Sequence, residues 1–134
     1  MPDITAVTHA QNIRYDRKAE ALYIIDQTLL PGEEKEIRLQ TIDEMVEAIR
    51  ALRVRGAPAI GICAAYCMYV LAKSIRTEDR PTFLKRLSDY GQQLDAARPT
   101  AVNLGWAIRE MMRTALEHVH DTRGQMLAFI SADT

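Results

Sequence analysis

Between Ala57 and Ala72 the chain runs sixteen residues without a charged side chain, and this run decides most of what it can fold into. A bilayer core needs about twenty apolar residues to be crossed by a helix. The run is shorter than that and contains Pro58, Tyr66, Tyr69, Cys63 and Cys67. It is therefore expected to be a helix inside a globular domain, apolar on nearly every face and covered by neighbours. With 134 residues, 48% hydrophobic and 26% charged, the chain has enough material for one such core without staples. Cys63 and Cys67 share one face of this helix and read as small core residues. No His or further Cys stands nearby to complete a metal ligand set. The low cysteine count and the absence of an apolar signal core in the first residues fit a cytoplasmic protein. A formal net charge of −1 gives no basic stripe for nucleic acid, Arg50, Arg53 and Arg55 being a local exception.

The flanking sequence supplies the cover. Ile13–Tyr15, Ala21–Ile25 and Glu36–Leu39 are short apolar or alternating runs, separated by Asp16-Arg17-Lys18 and Pro31-Gly32-Glu33. They predict an antiparallel meander over about 12–40, with Leu22, Ile24 and Leu29 facing inward. From Thr41 the period becomes helical. Thr41 and Glu44 have the spacing of a capping box, and Ile42, Met45, Val46, Ile49 and Leu52 form a stripe that ends near Arg53. Pro58 suits the first turn of the buried helix, which runs to about Ser74. Asp79 is expected to cap a third helix with Phe83, Leu84, Leu87, Tyr90 and Leu94 inside, stopping before Arg98-Pro99. Thr100 is expected to cap a fourth with Val102, Trp106, Met111, Met112, Ala115, Leu116 and Val119 inside, broken at Asp121–Gly124. Gln125–Ser131 restarts a helical pattern just before the chain stops, so the sequence reads as a fragment. The fold class is α+β: a small antiparallel sheet, a helical bundle over about 41–122, and the start of a connection over about 125–134.

Two segments have the chemistry to hold an anion. In Val54-Arg55-Gly56-Ala57-Pro58-Ala59, a glycine able to take positive φ precedes a helix whose first N–H groups lack intrahelical partners. That helix dipole favours negative charge, and Arg55 adds a guanidinium fork suited to phosphate. The same residues also describe an ordinary helix–helix turn with a solvated arginine. The second segment is Asp95–Leu104, where Arg98 stands before another helix start. The two starts could converge on one ligand, or Arg98 could pair with Asp95. On spacing alone both pairs of readings stay open. Asp26-Gln27 closes a strand as a turn anchor or a site lining. His9, His118 and His120 read as surface residues, the last two facing different sides of a helix end. No Ser/His/Asp set, P-loop or metal cluster is legible, and no acid–base pair or nucleophile stands in a site. No residue is assigned as catalytic.

Three stretches carry a resemblance: Ile25-Asp26-Gln27-Thr28-Leu29-Leu30-Pro31, Val54-Arg55-Gly56-Ala57-Pro58-Ala59-Ile60-Gly61, and Arg98-Pro99-Thr100-Ala101-Val102-Asn103-Leu104-Gly105-Trp106-Ala107. In this order and spacing the chain, from about Ile13 to its end, resembles the N-terminal region of the methylthioribose-1-phosphate isomerase family. The wider group includes the regulatory subunits of translation initiation factor 2B. The resemblance implies an N-terminal domain, followed in the family by a Rossmann-like domain that holds a catalytic cysteine and a proton-donating aspartate. Neither Cys63 nor Cys67 stands for that cysteine. It implies substrate contacts at Arg55, Gly56, Ala57 and Arg98, and no metal. The family reaction opens a 1-phosphorylated aldofuranose and moves a proton or hydride between C1 and C2, giving the ketose 1-phosphate of methionine salvage without a cofactor. The implied partner is a small sugar phosphate, with no membrane or nucleic acid, and the full-length enzyme is expected to be a homodimer. Sibling substrates are ribose 1,5-bisphosphate and 5-deoxyribose 1-phosphate. A non-enzymatic regulatory subunit is the reading of a different class.

Overall fold

The computed structural model describes residues 12–117. Strands β1 (Ile13–Asp16), β2 (Ala21–Ile25) and β3 (Glu36–Leu39) form one antiparallel sheet in the order β1-β2-β3. Four helices follow: α1 (Ile42–Arg50), α2 (Ala57–Ser74), α3 (Arg80–Ala97) and α4 (Val102–Glu117). This is the α+β arrangement of sheet then bundle that the sequence implies. His9, His118, His120, Val119, the break at 121–124 and the segment 125–134 lie outside the described residues.

Local chemistry accounts for most boundaries. Asp16 closes the first hairpin by accepting from the N–H groups of Lys18 and Ala19, both at 3.0 Å. Register then pairs Tyr15 with Leu22 and Leu22 with Leu39, and the pleat sends Leu22, Ile24 and Leu39 into the core. Leu29 is only partly covered, in a short 3-10 turn over Gln27–Leu29. Thr41 and Glu44 form the full capping box at the start of α1, and Asp79 caps α3 by accepting from Thr82 N–H at 3.2 Å.

α2 is the hub. Cys63, Ala64, Cys67, Met68, Leu71 and Ala72 are almost fully buried, with α4 as its most extensive neighbour and the sheet, α1 and α3 around it. Tyr15 fastens the sheet to it by stacking on Tyr66, 5.5 Å between centroids, and meeting Tyr69 edge-on at 5.7 Å. Cys63 and Cys67 bring their sulfurs within 3.9 Å inside this core, as free thiols. Among the described residues no helix is long and apolar enough to cross a membrane.

Three expectations are corrected. α1 ends at Arg50 rather than near Arg53, because Leu52 takes a left-handed conformation with φ 63°. Leu52 N–H donates to Ile49 carbonyl at 3.2 Å and Arg53 N–H to Ala48 carbonyl at 2.9 Å. That is a Schellman ending with leucine where glycine is usual. The inward face of α4 is Leu104, Ala107, Ile108, Met111 and Ala115, whereas Val102, Trp106 and Leu116 are exposed at 77%, 60% and 56%. The face of α4 that packs on α2 and α3 carries the first set, and Val102, Trp106 and Leu116 fall on the other side. Finally, Thr100 does not cap α4. The helix starts at Val102, Gly105 N–H donates to Ala101 carbonyl, and Ala101 N–H closes a turn onto Arg98 carbonyl at 3.0 Å.

Candidate functional site

Gly56 stands at the N-cap of α2 with φ 90° and ψ 136°, a conformation open to glycine and strained for other residues. No side chain caps this helix start. The first intrahelical bond runs from Ile60 N–H to Gly56 carbonyl at 2.9 Å, so the N–H groups ahead of it face outward without intrahelical partners. Arg55 is exposed and makes no hydrogen bond or ion pair among the described residues. It lines a narrow crevice of about 10 Å³ with Asn12, Ile13, Ile24, Ile25, Gln27, Val54 and Ala59, where the end of β2 meets the entrance to α2.

At the other start, Arg98 is half-buried just after α3. Its backbone N–H reaches Asp95 carbonyl at 3.2 Å, but no ion pair joins the Arg98 and Asp95 side chains. The Asp95 carboxylate instead lies beside Gly105, where a Cβ would sit 3.3 Å from its Oδ1 and 3.0 Å from Arg109 Nη1. α4, like α2, begins without a side-chain cap among the described residues. α1 and α3 are capped by Thr41 and Asp79. The two uncapped starts are the two that carry the arginines.

These starts are also neighbours. A Cβ on Gly61 would lie 3.4 Å from the carbonyl oxygen of Asn103 and 3.5 Å from its Cβ. α2 at Gly61 and α4 at Asn103 therefore pass close to one another near their starts, and Arg55 and Arg98 precede those starts in sequence. Each of these helix starts has an arginine shortly ahead of it in sequence that makes no ion pair with a carboxylate among the described residues, and the positive end of a helix favours negative charge. Among the described residues no three His, Cys, Asp or Glu side chains gather closely enough to hold a metal ion.

Asp26 is the turn anchor of its two readings. It is 2% exposed and accepts from the Thr28 amide at 2.9 Å and the Thr28 hydroxyl at 2.6 Å. Arg53 Nη1 donates to its other oxygen at 2.7 Å. Burial pushes the Asp26 carboxyl up, but the Thr28 donors and the Arg53 guanidinium more than offset this and hold it below the usual range. Gln27 is the residue of the pair that faces the crevice. Sequence reading missed the third member of the anchor, Arg53, whose fork also closes on Glu47 through Nε at 2.9 Å and Nη2 at 2.9 Å. The available signal was three arginines at positions 50, 53 and 55 beside the acidic residues of α1, which does not single out one of them.

Residues 53–130 match the model of the initiation factor 2 subunit family. Methylthioribose-1-phosphate isomerase of Crocosphaera subtropica is 51% identical over 94 residues, covering 70% of this chain and 27% of that protein. The enzyme of the same name from Gemmatimonas aurantiaca is 44% identical over 135 residues, covering 99% of this chain and 38% of its own length. In structure the chain is similar to 5-methylthioribose 1-phosphate isomerase from Pyrococcus horikoshii, with a TM-score of 0.84, 33% identity, and coverage of 91% of this chain and 34% of that one. It is also similar to the delta subunit of translation initiation factor eIF-2B from A. fulgidus, with a TM-score of 0.81 and 30% identity. The chain thus spans between 27% and 38% of the length of these two curated relatives. With more than half of its residues inside the family model and its fold shared with two solved members, the chain belongs to the initiation factor 2 subunit family.

Proposed function

We propose that this chain is the N-terminal, substrate-gripping domain of an aldose–ketose isomerase that converts 5-methylthioribose 1-phosphate to 5-methylthioribulose 1-phosphate in the cytoplasm. The observation that carries the reading is the meeting of two uncapped, arginine-bearing helix starts at Gly61 and Asn103. Arg55 and Arg98 hold the phosphate by charge-assisted hydrogen bonds, and the amides at Gly56 and Ala57 add donors at the positive end of α2. The identity of 51% and 44% to proteins named as this isomerase supports the substrate. The groups that open the ring and transfer hydrogen between C1 and C2 are assigned to a further, Rossmann-like domain, and the assembled enzyme to a homodimer. This domain contributes position. Fixing a reactant in a near-attack geometry lowers a barrier by several kcal/mol when the reacting groups are present.

The test is steady-state kinetics of the gene product that carries these residues, assayed on 5-methylthioribose 1-phosphate. Losing a hydrogen-bonded charge is worth about 1.5–3 kcal/mol, so Arg55→Ala and Arg98→Ala should each lower kcat/KM about tenfold to a hundredfold. Unchanged kinetics in both would overturn the grip. A regulatory subunit is the second reading, favoured by the TM-score of 0.81 to the eIF-2B delta subunit. It predicts no turnover of this substrate, or of ribose 1,5-bisphosphate or 5-deoxyribose 1-phosphate, by the same gene product.

A further inference from the structure

We propose that Asp26, Arg53 and Glu47 form a positioning clamp that sets the conformation of the Arg55-Gly56 turn for its anion; the inference rests on the phosphate reading above.

Arg53 is two residues before Arg55, and both its backbone and its side chain are held. Its amide donates to Ala48 carbonyl at 2.9 Å, closing α1, and its carbonyl accepts from Gln27 N–H at 2.9 Å, joining the connection to the end of β2. Its guanidinium donates to Asp26 at 2.7 Å and the Thr28 hydroxyl at 3.2 Å, and spans both Glu47 oxygens. One residue therefore ties α1, the β2 end and the 3-10 turn to the segment that enters α2. Arg55 has no such partner.

The connection needs this hold. It contains Leu52 at φ 63° and Gly56 at φ 90° within five residues, and a bulky residue in the left-handed region persists only where its surroundings over-determine it. The Asp26 carboxylate is buried while the Arg53 side chain keeps 30% exposure, so the clamp has a fixed end inside and a reaching end outside. A guanidinium fork transmits orientation as well as charge, which an ammonium does not. Arg53 is thus a positioning residue: it acts on the anion through the placement of Arg55 and the Gly56 amide.

The experiment is a titration of the 134-residue chain, labelled with 15N, with inorganic phosphate, following the Arg55, Gly56 and Ala57 amides. Asp26→Asn and Arg53→Lys are compared with the parent, Glu47→Gln serves as the milder variant if either fails to fold, and Ile49→Val is a destabilised control outside the clamp. Thermal melts fix a working temperature at which every variant is folded. The expected result is a phosphate Kd raised about tenfold by the clamp variants, the order expected when a charge-assisted contact is loosened, and unchanged by Ile49→Val. A parent that binds phosphate while folded clamp variants bind it equally well would overturn the clamp alone. A control that weakens binding as much as they do would reduce the clamp to general stability and overturn it too. A parent with no phosphate-dependent shift would overturn the anion site, and the clamp with it.

Discussion

Gly91 is the position where the close packing of α3 on α4 can be broken with one methyl group. A Cβ there would lie 2.9 Å from Ile108 Cγ2 and 3.5 Å from Met68 Cε. Carbon atoms in good contact sit about 3.5–4.0 Å apart, so the new methyl intrudes on Ile108 by roughly half an ångström or more. Ile108 cannot swing clear, because a β-branched side chain on a helix has one strongly preferred rotamer. Met68 closes the space on the other side. Overpacking of this kind costs about 1–3 kcal/mol, against which alanine gains about 1 kcal/mol over glycine in a helix interior. Gly91→Ala should therefore destabilise the domain by up to about 2 kcal/mol, with about 1 kcal/mol the central value. With a urea slope of about 1–3 kcal/mol per molar, the midpoint followed by far-ultraviolet circular dichroism falls by roughly half a molar. Gly61→Ala is the companion, since its Cβ meets nothing closer than 3.4 Å, and it should be near neutral or stabilising. In a double-mutant cycle, Ile108→Ala removes the obstructing methyl, and the pair should be less damaging than the sum by about 1 kcal/mol. A stabilised Gly91→Ala, or strict additivity with Ile108→Ala, would refute the contact and leave helix propensity as the stronger effect.

Other outcomes follow from single interactions. Thr41→Ala removes the capping oxygen of α1 and should lower unfolding free energy by about 1 kcal/mol, measured by the same denaturation. Burial, followed by the field of Tyr69, pushes the Tyr15 phenol up to about 12. The folded state then holds its proton above the ordinary tyrosine pKa, so stability present at neutral pH declines as pH rises from about 10 through 12; Tyr15→Phe should flatten that alkaline slope. Cys63 and Cys67 are both fully buried, and hydrogen bonding to Cys63 and burial raise the Cys67 thiol well above its ordinary value; a thiol reagent blocked by this packing should label neither cysteine at pH 7 until denaturant is added. Rapid labelling of the native chain would contradict the packing of α2.

Much of the fold was legible because its punctuation is local. Thr41, Asp79, Pro58 and the Arg98-Pro99 pair each act within one turn of chain, and the helices begin or end beside them. What failed to show depends on contacts distant in sequence. The inward face of α4 follows from where α2 and α3 pack against it, with the tightest approach at Gly91. A sequence stripe that favours large residues selects Trp106 and Leu116 instead. The left-handed Leu52 was hidden because the usual marker of that conformation is glycine. In the candidate site, the place of Arg55 and Arg98 before helix starts left two readings open for each, and only the family resemblance singled them out. The Asp26–Arg53 pair joins residues 27 positions apart, and no local pattern announces it.

The outward turn of Trp106 has a practical consequence. It is the chain's single tryptophan and stands 60% exposed on the first turns of α4, one helical turn on from Asn103. Its indole already meets water in the native state, so its emission changes little on unfolding and underreports denaturation. The same placement makes it a built-in optical reporter for whatever settles against the helix starts.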